Sequence, residues 1–338
     1  MTMKNFRKLA TGLIVAGGCA SIALLSAQDP APAPAPAAAG AGGGGRGAGA
    51  GGGRGAGGGR AAPPVAWAPK PIKPTGWVAP MKPHWKLSEI LAKHKGQADW
   101  TEPIVDDKYL HADYISMGPG GKTPLRFNAD TREWWIVQDG QIRFSIEGQE
   151  PFVASKGFMV EVPYRNAYTM ETVGDTPSLR FEVNIAGVTR DYPGAEKPAF
   201  APPPGTQFEK ITVAGKGKYD DTNKMFFDFN DVISGKSRSN NFVKDDRAVV
   251  NIIRARGSEN NGPPTNGHFH TSSSEFWFIM ENKIRYALET QETFIADQGD
   301  VVYAPMGMWH LASPAGEGMS TRIAMNGYVD LAHHYQAH

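Results

Sequence analysis

The chain of 338 residues contains a single cysteine, Cys19. That scarcity excludes an internal disulfide framework, thiolate-rich metal sites and paired-thiol redox chemistry. It also lacks a dominant charge, with 35 Lys+Arg against 34 Asp+Glu. Residues 1–66 hold six of the basic side chains and one acid, Asp29, so the remaining body carries 29 basic and 33 acidic residues. Nucleic-acid binding needs clustered positive charge, and this body has none. Long apolar runs are missing as well. The longest, residues 9–25, is 17 residues and includes Gly12, Gly17 and Gly18, short of the ~20 that cross a ~30 Å hydrocarbon core.

That run follows Lys4, Arg7 and Lys8 and ends in Leu25-Ser26-Ala27. A positive start, a short apolar middle and small terminal residues predict a secretory signal peptide over 1–27, cleaved near Ala27. The expected location is periplasmic or secreted, with no integral membrane span after cleavage. An uncleaved anchor is the weaker alternative. So is a lipoprotein at Cys19, since Ala16-Gly17-Gly18-Cys19 is a poor lipidation box. Fourteen of the 40 glycines fall between residues 40 and 59. Residues 28–66 are Pro-Ala repeats followed by Gly/Ala with sparse Arg, a low-complexity composition expected to be disordered because it cannot bury a core.

The rest of the chain repeats itself. Shifting by 142 residues lays 126–168 over 268–310 with 13 of 43 positions identical and no gap, among them Glu133/Glu275, Trp135/Trp277, Arg143/Arg285, Gly157/Gly299 and Pro163/Pro305. Average residue usage gives roughly three matches by chance, so the domain is duplicated. Each copy reads as β. Runs at 133–137, 141–146, 275–280 and 283–288 are rich in aromatic and branched side chains, and Asp139-Gly140 and Glu281-Asn282 between them are hairpin signals. Many short strands predict a sandwich or jelly-roll barrel. Short helical preludes are expected at 86–95, with Leu87, Ile90 and Leu91 on one face, and at 227–234. The copies are placed at 67–197 and 205–338, with 198–204 as linker.

The second copy carries the chemistry. His268-Phe269-His270 is followed after four residues by Glu275, and Gly299 leads through Pro305 and Gly307 to His310. Residues i and i+2 of a strand share a face, so His268 and His270 can hold one ion, with Glu275 on the next strand and His310 turned inward by the Pro-x-Gly turn. Three imidazoles and a carboxylate suit Fe, Mn, Ni, Cu or Zn with positions left open. A Gly118–Thr123 stretch ending Gly-Lys-Thr imitates a phosphate loop, but Ser116 stands where its first glycine belongs and no helix is expected after it. The tail histidines His333, His334 and His338 are given no role.

These segments resemble the two motifs of the cupin superfamily, HxH(x)4E and G(x)5PxG(x)2H, at every signature position through His310; Pro314 replaces the trailing Asn. The resemblance covers about residues 98–330 as a bicupin. It implies two tandem all-β jelly-roll barrels and one divalent metal, Fe or Mn first, held by His268, His270, Glu275 and His310. In the first copy Arg126, Asn128 and Tyr168 stand at the three histidine positions while Glu133 persists, and Arg165 replaces the turn glycine. Arginine donates and never accepts, so that site is expected to be metal-free and degenerate, with Arg126 paired to Glu133. The alternative is a small anion or sugar on Arg126, Asn128 and Tyr168. Strand parity places Trp277 and Ile279 inside the second barrel. Tyr303 at the mouth and Arg285 as an anion partner are the other substrate-facing candidates.

Cupin folds host many activities. A bicupin with one working site resembles gentisate-type ring-cleaving dioxygenases, which implies a small carboxylate or hydroxylated, phenolic substrate. An oxalate decarboxylase-like lyase or an isomerase is the alternative within enzymes. A non-catalytic ligand-binding or structural bicupin, like the storage globulins, is the alternative outside them. Self-association through an exposed sheet edge is the expected form of any oligomer.

Overall fold

A computed structural model describes residues 65–73, 75–237, 241–257, 267–327 and 333–335. The segment expected to be a signal peptide, Cys19, nearly all of the low-complexity stretch and His338 lie outside them. The described residues fall in one unit, Pro63–His338. Among them are 22 strands and two short helices, and no helix is long and apolar enough to cross a membrane.

The strands form two tandem β-barrels of the jelly-roll kind. In the first, a six-stranded sheet runs in the order Phe226–Asp228, Phe158–Val162, Glu133–Asp139, Ser178–Ile185, Leu110–Met117, Trp100–Asp106. It faces a three-stranded sheet of Phe152–Ser155, Gln141–Ile146 and Tyr168–Val173, closed by the pair Phe127–Asn128 and Arg190–Asp191. In the second, the order is His84–Trp85, Val301–Ala304, Glu275–Glu281, Gly318–Gly327, Ala248–Gly257, Asn241–Lys244. Its partner sheet orders Phe294–Ala296, Lys283–Leu288, His310–Ala315, His268–Phe269 and His334–Tyr335. The 142-residue shift carries Glu133–Asp139, Gln141–Ile146 and Tyr168–Val173 onto Glu275–Glu281, Lys283–Leu288 and His310–Ala315 with no change of boundary.

The expected hairpins are corners instead. Glu133–Asp139 pairs with Ser178–Ile185 and Phe158–Val162, whereas Gln141–Ile146 pairs in the facing sheet. One residue separates the two strands, too few for a two-residue hairpin loop. That residue, Gly140 at φ 68° and Asn282 at φ 58° in the second copy, takes the left-handed conformation that turns the chain from one sheet to the other.

Strand parity explains why the large sheets are buried on both faces. Trp135 and Val137 point into the first barrel, and Trp277 and Ile279 into the second. Trp134, Ile136, Phe276 and Phe278 point the other way, into a shared core between the barrels. There Tyr114, Phe181 and Phe278 form a cluster of rings with centroids 5.1–6.3 Å apart, a packing that adds to simple area burial.

The preludes are exchanged. His84–Trp85 adds to the second barrel's sheet, His84 opposite Val302, while Phe226–Asp228 adds to the first barrel's, Phe226 opposite Val160. Both pairs map onto each other under the 142-residue shift. The helices are shorter than predicted, Leu87–Lys93 and Phe229–Ile233. Asp228 caps the second by accepting a hydrogen bond from the Asn230 amide. In the first, Leu87 and Ile90 are buried but Leu91 faces solvent, because so short a helix presents too narrow a stripe for all three. Residues 192–225, which include the predicted linker, hold no strand or helix. The loop after Met117 is likewise followed by no helix, so the phosphate-loop imitation lacks the element it would need.

Candidate metal centre

His268 and His310 sit opposite each other on adjacent strands, and Glu275 begins the strand that forms the floor of the facing sheet. The four donors of His268, His270, Glu275 and His310 lie within 4.8 Å of one another. His270 Nε2 is 2.8 Å from Glu275 Oε2, and His310 Nε2 is 3.1 Å from both Glu275 Oε2 and His268 Nε2. His268 Nε2 stands 3.8 Å from the same carboxylate oxygen. Ligands about 2.1 Å from a common ion and at right angles to it are about 3 Å apart, so the spacing fits one ion.

The protonation pattern fits it too. His310 Nδ1 is 3.0 Å from the Met308 carbonyl oxygen, which only accepts, so Nδ1 carries the hydrogen and fixes the tautomer. His310 Nε2 then faces the Glu275 carboxylate and the His268 ring together, the direction in which a shared ion would lie. Burial pushes Glu275 up, but contacts with His268, His270 and His310 outweigh it and hold the carboxyl well below its usual range. Burial holds His268 below its ordinary value, with His310 and His270 adding to that and Glu275 opposing it. One buried carboxylate among three imidazoles is a donor set suited to a divalent cation.

The loop bearing these ligands is clamped by the first barrel. Asp107 Oδ2 accepts hydrogen bonds from the Ser274 hydroxyl, adjacent to Glu275, and from Tyr303 Oη at 3.0 Å. Tyr109 Oη donates to the Ser272 carbonyl at 2.6 Å. Trp277 packs edge-on against His310, centroids 5.0 Å apart, so it walls the site. The other two substrate-facing candidates lie elsewhere. Tyr303 alternates with Val302 and Ala304, which face the barrel interior, so its ring enters the inter-barrel core. Arg285 alternates with Ile284 and Tyr286, both interior, and points away from the site.

One of the tail histidines, assigned no role from the sequence, also reaches the site. His334–Tyr335 pairs with His268–Phe269, bringing the His333 ring to 4.6 Å from His268 and 4.9 Å from His270. Its only signal was the cluster of histidines in the tail.

In the first barrel, Arg126 does not pair with Glu133. Arg190 donates to Glu133 Oε1 and, at 2.5 Å, to Glu182 Oε1. Arg126 donates from Nε to Tyr168 Oη at 2.9 Å, and its Nη2 lies 3.6 Å from Glu182. Tyr168 Oη donates in turn to Glu133 Oε2, which also accepts from Asn128. Arg190, on the closing strand opposite Asn128, takes Glu133 in place of Arg126. No local motif announces it, since partner and carboxylate are 57 positions apart. Burial raises Glu182, but Arg180, Arg126 and Arg190 overcome this and hold it ionised.

By sequence, the chain matches no protein-family model and no curated protein. Among solved structures it is similar to a cupin 2 conserved barrel domain protein from Leptotrichia buccalis, at 13% identity and TM-score 0.49, over 72% of this chain and 94% of that one. It is also similar to a tryptophan-to-phenylalanine variant of Bacillus subtilis oxalate decarboxylase, at 13% identity and TM-score 0.43, over 79% and 81%.

Proposed function

We propose that the second barrel is a mononuclear metal centre, Fe or Mn before Ni, Cu or Zn, and that the chain is a periplasmic or secreted bicupin enzyme. Its substrate is a small carboxylate or a hydroxylated, phenolic compound, and its chemistry is oxygenase-like. The observation that supports this most is the convergence of His268, His270, Glu275 and His310 around one point, with His310 oriented by the Met308 carbonyl so that Nε2 faces the others.

His268, His270, Glu275 and His310 would hold the ion. Bound there, it supplies Lewis acidity toward substrate oxygens and, as Fe or Mn, one-electron chemistry with O2. The chain's own residues do the rest. The Met308 carbonyl orients His310, Trp277 closes one wall and excludes water, and Asp107 with Tyr109 fixes the loop between His270 and Glu275 so that the donors are preorganised.

The test is elemental analysis and EPR on purified protein beside a His268→Ala/His310→Ala variant, followed by O2 uptake over catechols, gentisate-like acids and oxalate. About one Fe or Mn per chain, lost in the variant, with O2 consumed on one of these substrates, is the expected result. Stoichiometric Zn defeats the oxygenase reading, and no stoichiometric metal with unchanged folding in the variant defeats the metalloenzyme.

A further inference from the structure

The first barrel contains a charge problem of its own. Arg126, Arg180 and Arg190 share its interior with two carboxylates, Glu133 and Glu182. Tyr168 is neutral there: burial first, then Glu133, holds its hydroxyl well above the ordinary range. The cluster is therefore net +1 in a place where uncompensated charge is expensive. Every carboxylate oxygen is already engaged. Glu133 accepts from Arg190, Tyr168 and Asn128. Glu182 accepts from Arg190, from Arg180 Nε at 3.0 Å and from Trp135 Nε1 at 2.8 Å. Even so, Arg126 Nη2, Arg180 Nη1 and Arg190 Nε are buried with no acceptor, and Asn128 Oδ1 is buried with no donor. Arg180 and Asn128 are each 3% exposed.

One member of the cluster opens outward. The Arg190 side chain is 29% exposed and lines a cavity of about 500 Å³, the size of a small-molecule site. Phe127, Tyr192, Phe208, Ile211 and Val213 supply apolar walls. Tyr192, Phe200 and Phe208 brace one another edge to face, centroids 4.8–5.7 Å apart. The lining has five basic and four acidic side chains; of the acids, Glu147 is neutralised by Lys216, and Asp191 stands beside Arg190 on the closing strand.

We propose that the mouth of the first barrel binds a small monocarboxylate with an apolar body, its carboxylate taken by Arg190 with Arg126 behind it and its body lodged in the cavity walled by the 192–213 segment. The charge matches, since one carboxylate neutralises the excess guanidinium. The hydrogen bonding matches at Arg190, the one guanidinium of the cluster that lines the cavity and can fork onto a carboxylate there. The walls match, since they bury hydrocarbon that is otherwise in water. This site is independent of the metal reading for the second barrel.

The experiment is calorimetric titration of the full-length protein with benzoate, using benzamide as the uncharged isostere, before and after dialysis against a chelator. Benzoate is expected to bind at one site per chain with benzamide at least about tenfold weaker, and chelation to change neither. Arg190→Met and Val213→Glu should each weaken benzoate about tenfold or more. Val213 is exposed, so that variant reads the site even if removing Arg190 unfolds the barrel. The proposal is overturned if benzoate shows no saturable binding, if benzamide binds as tightly, or if chelation abolishes binding while Val213→Glu leaves it intact.

Discussion

The two barrels pose one question and answer it twice. Each buries a carboxylate at the same place, Glu133 in the first and Glu275 in the second, and a buried carboxylate needs a positive partner. In the second barrel three histidine nitrogens gather around it and leave room for a dication. In the first, Arg190 swings in from the closing strand and becomes the partner itself. A guanidinium is a cation that never leaves, so the first barrel answers its carboxylate with a covalently fixed charge. Identical strand boundaries therefore do not imply identical function, because the decision is made by three or four inward side chains.

Changes at the paired positions should separate the barrels cleanly. The largest effect is expected from Glu275→Gln, which should cut metal retained after dialysis by at least about 100-fold, measured by mass spectrometry of the metal, while Glu133→Gln leaves retention unchanged. Conversely, Glu133→Gln should destabilise the fold by about 3–5 kcal/mol in denaturant unfolding, because it removes one of only two carboxylates that offset Arg126, Arg180 and Arg190 in the interior. Glu275→Gln is expected to show the smaller unfolding change when metal-free protein is compared. Next comes the clamp between the barrels. Asp107→Asn should weaken metal affinity about tenfold without touching a ligand, as outer partners of metal ligands typically do, and equal affinities would show the clamp to be idle.

A smaller and more gradual effect should come from pH. Burial, aided by Asp220 and Asp245 and opposed by Arg132, pushes Glu161 up to about 8. The folded chain thus holds a proton that the unfolded chain releases near pH ~4.3, so stability falls as pH rises between those two values. Glu161→Gln should flatten that slope in thermal melts taken across this range. The smallest effect belongs to the shared pair Arg143 and Arg285. Both lie on outward faces, and either substitution to Ala should change stability by no more than about 0.5 kcal/mol and substrate turnover not at all. A large loss of turnover in Arg285→Ala would restore it as a substrate partner.

Most of the architecture was legible because the duplication made it so. Two strands that match across 142 residues constrain each other, and parity from Glu275 was enough to put Trp277 and Ile279 inside. The same parity, applied to Tyr303, would have sent it to the opposite face. A residue near the Pro-x-Gly turn in sequence can still point into a core, as Tyr303 does. The hairpin signals failed for a different reason. Asp-Gly between alternating strands marks a reversal within a sheet or a corner between sheets, and only the pairing decides which. The four donors were found through spacing, which short-range geometry preserves. Arg190, Asp107 and His333 were not, because each meets its site through the fold alone, with 57, 167 and 65 positions separating Arg190 from Glu133, Asp107 from Ser274 and His333 from His268.

The exchanged preludes make the halves depend on each other. His84 opposite Val302 and Phe226 opposite Val160 are one contact related by the internal repeat. Each barrel lends its arm and borrows an edge strand, as the subunits of a swapped dimer do. Here one covalent chain holds both arms at a fixed effective concentration, so the exchange does not depend on how dilute the protein is. The two halves are also free to carry different inward side chains, which the subunits of a symmetric dimer are not. Cutting the chain between the barrels should leave each half holding the other's arm, so the pieces are expected to be soluble together and poorly folded apart.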